Sequence, residues 1–587
     1  MGLRLASTFA ITALFALIYA VVFVISITYL PMNMFGLLII IFITLGIVFL
    51  QYLVSPLIIG WIYKIHWIPF DSFYADFPHL AEVIAKVCKD KGIKTPKIGI
   101  ISDLNPNAFT YGWSKNTARV VITEGILKYL NKKEQKAVVG HEMGHVIHND
   151  FILMTVVFAI PLVLITIARW CYYTARFSSL GSDREGSNYI SIALYAIAFL
   201  SYIAYWIGFL ISLFVSRLRE FYADEYSAEV LEDPNPLATG LVKIAYGLLE
   251  QGVEIENRRS SVRALQGLGI MDNKSASRFA ATSMTQVGQY SSEAIQAAAA
   301  WDLYNPWAKY YQLFSTHPLP ARRIQRLNDQ CPLYGKAPEI DLSQAKRIKE
   351  EQAGKSMIPE FLTDVTIKLL PWLVFFGAVF YTIFWIFGII GFYADYGLSA
   401  ATFTKLYPQN FLILFWGMAF FLIGIAVIAK MSFMFGKKFK PYNVRDLVMQ
   451  IKVSPVRTRP AIIEGVIVGK GIPGYWFSED LYFQDNTGLL YVDYRSGIPF
   501  GDFFFAIRRV KKLIGKRVRI YGWYKRGPSP YIQVHRIEVP ALGRSFRNYY
   551  KYISYIWAIL AFLIGIFLIY LWIQITPGGF FSLFRFP

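Results

Sequence analysis

Seven apolar runs limit what this chain can fold into: residues 6–30, 35–59, 151–170, 189–216, 367–393, 411–434 and 552–575. Each is long enough to cross a hydrocarbon core of about 30 Å as a helix. In lipid the backbone must satisfy its own hydrogen bonds, so runs of this length read as transmembrane helices. The composition agrees: only 17% of residues are charged, and the mean hydropathy is +0.40. The run at 6–30 is too long for a signal peptide and lacks a small-residue cleavage site, so it reads as an anchor. The second run is the weakest of the set, because Pro56 interrupts its end. The expected class is therefore a multi-span α-helical membrane protein of about seven spans.

Orientation follows from Lys and Arg. The segments after the second, fourth and sixth runs are rich in them, whereas the turn at 31–34 is uncharged and 394–410 carries only Asp395 and Lys405. Seven spans with a cytoplasmic N-terminus satisfy the positive-inside rule throughout. The large loops then face the cytoplasm and the C-terminus lies outside. The net charge of +20 is unevenly spread: residues 437–551 hold 22 Lys/Arg against 8 Asp/Glu. A basic segment beside a membrane is drawn to the bilayer and its anionic headgroups. Nucleic acid is the alternative partner, but positive-inside bias already accounts for much of this charge.

Between the runs lie three polar stretches. The first, 64–150, opens with helical spacing at Leu80, Ile84 and Val87, then gives strand-like segments at 97–101, 108–113 and 118–123. The second, 217–366, is mainly helical, with a segment at 257–300 rich in Arg, Ser, Ala and Gly that reads as mobile. The third, 455–540, has β-formers at 464–470, 481–484, 489–494, 517–524 and 531–539, separated by turns at Asn486-Thr-Gly488 and Lys525-Arg-Gly-Pro528. A helix fits at 506–514, between the third and fourth strands. Five strands with a helix in that place resemble an OB-fold barrel, an all-β module, and are also similar to GIDE-type domains of membrane proteins.

The chemistry sits at His141-Glu142-Met143-Gly144-His145. Residues four apart share a helix face, so both imidazoles can meet one metal ion while Glu142 reaches a water on it. With 7 His in 587 residues, chance supplies on the order of 0.01 matches to HExxH. Asn131 followed by Glu134 has the form of a capping box and predicts the start of the helix. Two His leave room for a third protein ligand. The best candidate is Glu220 in Ser216-Arg-Leu-Arg-Glu-Phe-Tyr-Ala-Asp224, with Asp224 four residues on to accept the remaining N–H of a ligating imidazole. One zinc ion per chain is the cofactor this set suits. His148 is expected to be structural, and Cys88, Cys171 and Cys331 form no metal or disulfide pattern.

HEMGH, Asn149-Asp150 at the mouth of a span, and Arg219-Glu220-Phe221-Tyr222-Ala223-Asp224 after a membrane hairpin together resemble the HtpX/Ste24 peptidase family. Asn107-Ala108-Phe109 with Gly112 matches that family's edge-strand motif, and Ser315-Thr-His317-Pro318 with Arg323-Ile324 matches its later signature. The resemblance covers residues 1 to about 330. It implies an integral-membrane zinc metalloendopeptidase with Glu142 as general base and His141, His145 and Glu220 as ligands. It also implies substrate held along Asn107, Ala108 and Phe109, and transition-state stabilisation by His317 and Arg323; for Arg323 a structural salt bridge is an equally good account.

The organisation that follows is a transmembrane hairpin at 1–60 and a mainly α zincin-type protease domain with a small sheet at 61–366, interrupted by a second hairpin at about 151–216. A third hairpin at 367–434, a basic OB-like domain at 441–545 and a last helix at 552–575 complete it. Two spans precede the motif and two separate it from Glu220, as in HtpX-like members and unlike Ste24-like ones. The expected activity is cleavage of misfolded, damaged or membrane proteins at the cytoplasmic face of the cell membrane. The alternatives are a processing protease of the prenyl-protein type, or a membrane scaffold acting through the OB-like domain.

Overall fold

The structure, a computed structural model, describes residues 34–63, 65–180, 185–254, 284–286, 289–290, 292–354, 356–396, 409–470, 479–498, 500–527 and 530–576. The expected span at 6–30 and most of the segment at 257–300 lie outside them. Six helices among the described residues are long and apolar enough to cross a membrane. Contacts divide the chain into two units, one reaching to Arg347 and the other running mostly from Ile348 onward.

In the first unit, α1 (Met34–Ile62) runs through Pro56 without ending. Its large apolar side chains point outward, with Phe42 78% and Phe49 61% exposed, as lipid-facing residues would be. A four-stranded sheet follows: β1 (His66–Ile68), β2 (Lys97–Ile101), β3 (Ala108–Tyr111) and β4 (Arg119–Thr123), in spatial order β1-β2-β4-β3. Strand β1 was not foreseen; three residues are too few for alternation to signal a strand. Strand β3 stops at Tyr111 rather than at 113, where the chain turns at Gly112, at which a Cβ would lie only 2.9 Å from Thr117 O. Helix α2 (Pro78–Lys91) buries Leu80, Ile84 and Val87 as the spacing predicts.

Three more helices carry the chemistry. Helix α3 (Lys132–Ile147) starts with the expected capping box: Glu134 N donates to Asn131 Oδ1 at 3.0 Å, and Asn131 N donates to Glu134 Oε2 at 2.8 Å. Asn149, in the left-handed region at φ 53°, turns the chain directly into α4 (Asp150–Leu180), a conformation that Asn tolerates better than most residues. Helix α5 (Glu185–Leu231) has 47 residues. At 1.5 Å per residue it is about 70 Å long, more than twice the bilayer core. Its first half exposes Phe199 and Leu200, each 64%, whereas its second half buries Glu220, Asp224 and Ser227. The span thus continues as a core helix of the first unit. Helix α6 (Asn235–Glu254) packs beside α3 and α5, and α7 (Ser292–Tyr304) and α8 (Pro320–Gln330) complete the unit.

The second unit holds three more apolar helices, α9 (Ile358–Tyr396), α10 (Gln409–Met434) and α12 (Tyr550–Ile575). Helices α10 and α12 meet at small residues. A Cβ on Gly417 would lie 3.2 Å from Gly565 O, and one on Gly424 would lie 3.1 Å from Ala558 O. Such contacts let membrane helices approach closely. Between these two helices the chain builds β5 (Lys440–Pro441), β6 (Arg459–Lys470), β7 (Leu481–Gln484), β8 (Leu489–Asp493), α11 (Gly501–Arg508), β9 (Arg517–Arg526), β10 (Pro530–Val539) and β11 (Arg544–Arg547). Strands β6 to β10 close into a ring in the order β6-β7-β8-β10-β9, the β8–β10 pairing being parallel and the rest antiparallel. Five strands closed in this way, with helix α11 between the third and fourth, form the OB-like barrel that the β-formers indicated.

Candidate metal centre

Helix α3 can present its motif to α5 because the two meet at small residues. A Cβ added at Gly144 would lie 3.0 Å from Ala223 Cα, and one at Gly140 would lie 3.2 Å from Ser227 Oγ. Residues four apart on both helices therefore stack Gly140 and Gly144 against Ala223 and Ser227. That close approach brings Glu220 and Asp224, on the same face of α5, up to the two imidazoles.

His141 Nε2 and His145 Nε2 lie 3.2 Å apart, and each lies 3.7 Å from a Glu220 oxygen. One donor atom from each of the three residues falls within 4.8 Å of the other two. Tetrahedral ligands at 2.0–2.1 Å from an ion would be about 3.3 Å from one another, so the observed edges fit such a set. The hydrogen-bonding pattern suits a cation as well. His141 Nδ1 lies 2.9 Å from Asp224 Oδ1, and His145 Nδ1 lies 2.5 Å from Asp150 Oδ2. Ionised carboxylates only accept, so the proton on each ring faces them at Nδ1, and the neutral imidazole of that tautomer presents an Nε2 lone pair to an ion. Two lone pairs and a carboxylate would then face one another in a buried space, where Glu220 Oε2 has no hydrogen-bond partner. A divalent ion resolves that repulsion.

The surroundings fix this geometry. Arg323, 1% exposed, donates from Nε and Nη2 to the two oxygens of Asp224 at 2.9 and 2.6 Å, and its Nη1 lies 3.6 Å from Glu220 Oε2. Burial opposes the charge on Arg323, but the Asp224 and Glu220 carboxylates outweigh it and hold the guanidinium above its usual range. Burial likewise opposes charge on His145, while Asp150, Glu220 and Glu142 more than compensate and raise its pKa. Arg217 donates from Nη1 to Ser315 O at 2.7 Å and to Leu313 O at 3.2 Å. That tie draws in the following loop, so that His317 Nε2 lies 3.8 Å from Glu220 Oε1.

Residues expected from sequence to act together, His141, Glu142, His145, Glu220, Asp224, His317 and Arg323, do converge here. His148 is exposed, with its ring beside those of Tyr222 and Tyr226 on α5. Two contacts were not foreseen. Asp150 orients His145 and is itself 3.0 Å from Arg219 Nε; the signal was its spacing, five residues after His145 across a two-residue turn. Thr110 donates from Oγ1 to Glu142 Oε2 at 2.6 Å, a contact between strand and helix that no local pattern encodes.

The edge strand is more committed than its motif suggests. Asn107 N donates to Thr123 Oγ1 and Asn107 O accepts from Thr123 N, at 2.8 and 2.9 Å. The Phe109 side chain is 2% exposed and belongs to a core cluster with Tyr63, Ile101 and Val121. Any contact with a substrate at Phe109 would therefore be through its backbone. Among the described residues, strand β3 is the outer strand of its sheet, on the side of α3.

A family model described as Peptidase family M48 matches residues 75–330. The "Protease HtpX homolog" of Methanothermobacter thermautotrophicus is 37% identical over 268 residues, covering 45% of this chain and 93% of that protein. The proteins of the same name from Methanocaldococcus jannaschii and Thermoplasma acidophilum are each 30% identical, over 78% and 91% of their lengths and 44% and 53% of this chain. A crystal structure of S. mikatae Ste24p aligns with 55% of this chain and 65% of that one, at a TM-score of 0.34 and 15% identity, a likeness too slight to carry an argument. Apolar helices, the HExxH helix and these relatives define a multi-pass membrane metalloprotease. The chain belongs to peptidase family M48, among its HtpX homologues.

Proposed function

We propose that the chain is a zinc-dependent endopeptidase acting at the cytoplasmic membrane surface on unfolded or damaged membrane proteins. The observation that carries this reading is the convergence of His141, His145 and Glu220 at tetrahedral edge distances beside the open edge of β3. Held by these three residues, Zn²⁺ would supply a Lewis acid that polarises both a water and the scissile carbonyl. Glu142 accepts the proton of the attacking water and delivers it to the amine released when the C–N bond breaks. Asp224 and Asp150 keep Nδ1 of each imidazole protonated, which directs each Nε2 lone pair to the ion. His317 donates toward the oxyanion that develops on the carbonyl, with Arg323 setting the charge around it.

The free backbone groups of Ala108–Tyr111 pair with an extended peptide, a grip that asks little of sequence and suits unfolded chains. The cytoplasmic orientation rests on the Lys- and Arg-rich loops and puts the N-terminus, the site and the barrel on one side. Residues 441–545 act as a separate domain from the protease at 61–366.

Two results test this reading. Purified wild type should bind one zinc per chain and lose proteolysis of a denatured membrane protein to a chelator. Glu220→Ala should bind well under one zinc per chain; full occupancy in that variant refutes the ligand set. Thr110 is a positioning residue for Glu142. Thr110→Val keeps its volume and removes the hydroxyl, a hydrogen bond to a charged group that contributes about 1.5–3 kcal/mol. The expected result is a fall in kcat of about tenfold to a hundredfold, with KM and zinc content unchanged. A rise in KM alone would instead assign Thr110 to substrate binding.

A further inference from the structure

The barrel carries a second site that the protease chemistry does not use. Its floor is one cross-strand row on the outer face, Ile462 on β6, Tyr521 on β9, Arg536 on β10 and Arg547 on β11, each paired in register with the next. Its wall is the segment Lys437-Lys438-Phe439 that leads from α10 into β5. Together they enclose a cleft of about 650 Å³. Phe439 stacks on His535 with ring planes 6° apart, and Arg536 lies over the Tyr521 ring at 4.5 Å. The aromatic groups therefore hold the basic side chains around a defined space.

The charge in this cleft is largely uncompensated. Glu538 pairs with Arg536 at 2.8 Å, and in the next cross-strand row Glu464 pairs with Arg519 at 2.6 Å. Among the described residues, Lys437, Lys438 and Arg547 have no acidic partner. Burial and the neighbouring Lys551, Arg536 and Arg547 lower the pKa of His535, as expected where positive charge accumulates.

The position of the cleft identifies its ligand. Lys437 lies three residues beyond the end of α10 at Met434, and Arg547 lies three residues before the start of α12 at Tyr550. These two helices pack side by side, so their barrel ends emerge together. Three residues span at most about 11 Å, and the headgroup layer is about 5–8 Å thick. Long Lys and Arg side chains cover the remainder. A bilayer spanned by α10 and α12 would thus bring the cleft to the level of its lipid phosphates. We propose that it binds the phosphate-bearing headgroup of an anionic phospholipid from the leaflet that anchors the barrel.

The test is native mass spectrometry of the full-length protein in detergent, with phosphatidylglycerol or phosphatidylcholine added. Wild type should retain phosphatidylglycerol in preference to phosphatidylcholine. In the triple variant Lys437→Gln, Lys438→Gln, Arg547→Gln that preference should fall by about fivefold for each charge removed. The charge-keeping variant Lys437→Arg, Lys438→Arg, Arg547→Lys should retain most of it, which separates loss of the site from loss of folding. Lys511→Gln with Lys512→Gln, two exposed lysines elsewhere on the barrel, should leave it unchanged. Equal retention of the two lipids by wild type, or an equal loss in the Lys511/Lys512 variant, overturns the proposal. Displacement of the lipid by millimolar inorganic phosphate would make this a small-anion site instead. Displacement by oligothymidylate with the same residue dependence would make it a nucleic-acid site, and either outcome overturns the lipid assignment.

Discussion

Glu142→Gln is expected to abolish cleavage of a denatured membrane substrate while leaving zinc content and thermal stability at the wild-type level. The amide keeps the shape of the carboxylate and can still accept from Thr110 Oγ1, now 2.6 Å from Glu142 Oε2. It cannot take a proton at neutral pH. General base catalysis contributes about 10²–10⁴-fold, so kcat should fall by at least two orders of magnitude. None of the three proposed ligand atoms belongs to Glu142, and metal should therefore stay bound. A variant that keeps its zinc and still cleaves like wild type would falsify the mechanism proposed for this site. One that loses zinc as well would show that Glu142 supports the ligand set rather than the proton transfer.

Arg323→Leu should have the largest effect on stability. The guanidinium is fully buried and makes two short hydrogen bonds to Asp224. Deleting it leaves the buried Asp224 carboxylate without the guanidinium that holds both its oxygens, and removes a positive charge from beside Glu220. Breaking a buried pair from one side costs about 3–5 kcal/mol, enough to lower the melting temperature of the detergent-solubilised protein by many degrees. Zinc affinity should fall by about 10- to 100-fold, because Asp224 no longer holds His141 in place. Arg323→Lys should recover only part of this, since an ammonium cannot match both carboxylate oxygens. If Arg323→Leu instead keeps its stability and zinc but loses kcat, the residue acts on the transition state and not on the scaffold.

Much of this was legible in the sequence because its determinants are local. The capping box at Asn131 and Glu134, the four-residue spacing of His141 and His145, and that of Glu220 and Asp224 are all properties of a single helix. The OB-like barrel was visible because alternation in five short segments survives without knowledge of their partners. Strand β1 escaped because three residues carry too little pattern, and Thr110 because its partner Glu142 lies 32 residues away on a different element. Phe109 could be read either way from alternation, and only packing against Tyr63 and Val121 put its ring in the core.

By itself, then, the sequence determined the chemical parts: apolar helices that must lie in lipid, a helix with two imidazoles on one face, and carboxylates at matching spacing further on. Spacing along one element is set by backbone geometry alone. What only the tertiary structure decided is which parts meet. Gly140 and Gly144 against Ala223 and Ser227 let α3 and α5 approach until Glu220 completes the set, and Arg217 draws His317 in behind it. The basic cleft is likewise a product of register, since Ile462, Tyr521, Arg536 and Arg547 become neighbours only when four strands pair. Contacts of this kind depend on close packing between distant segments, and no periodicity within either segment records them.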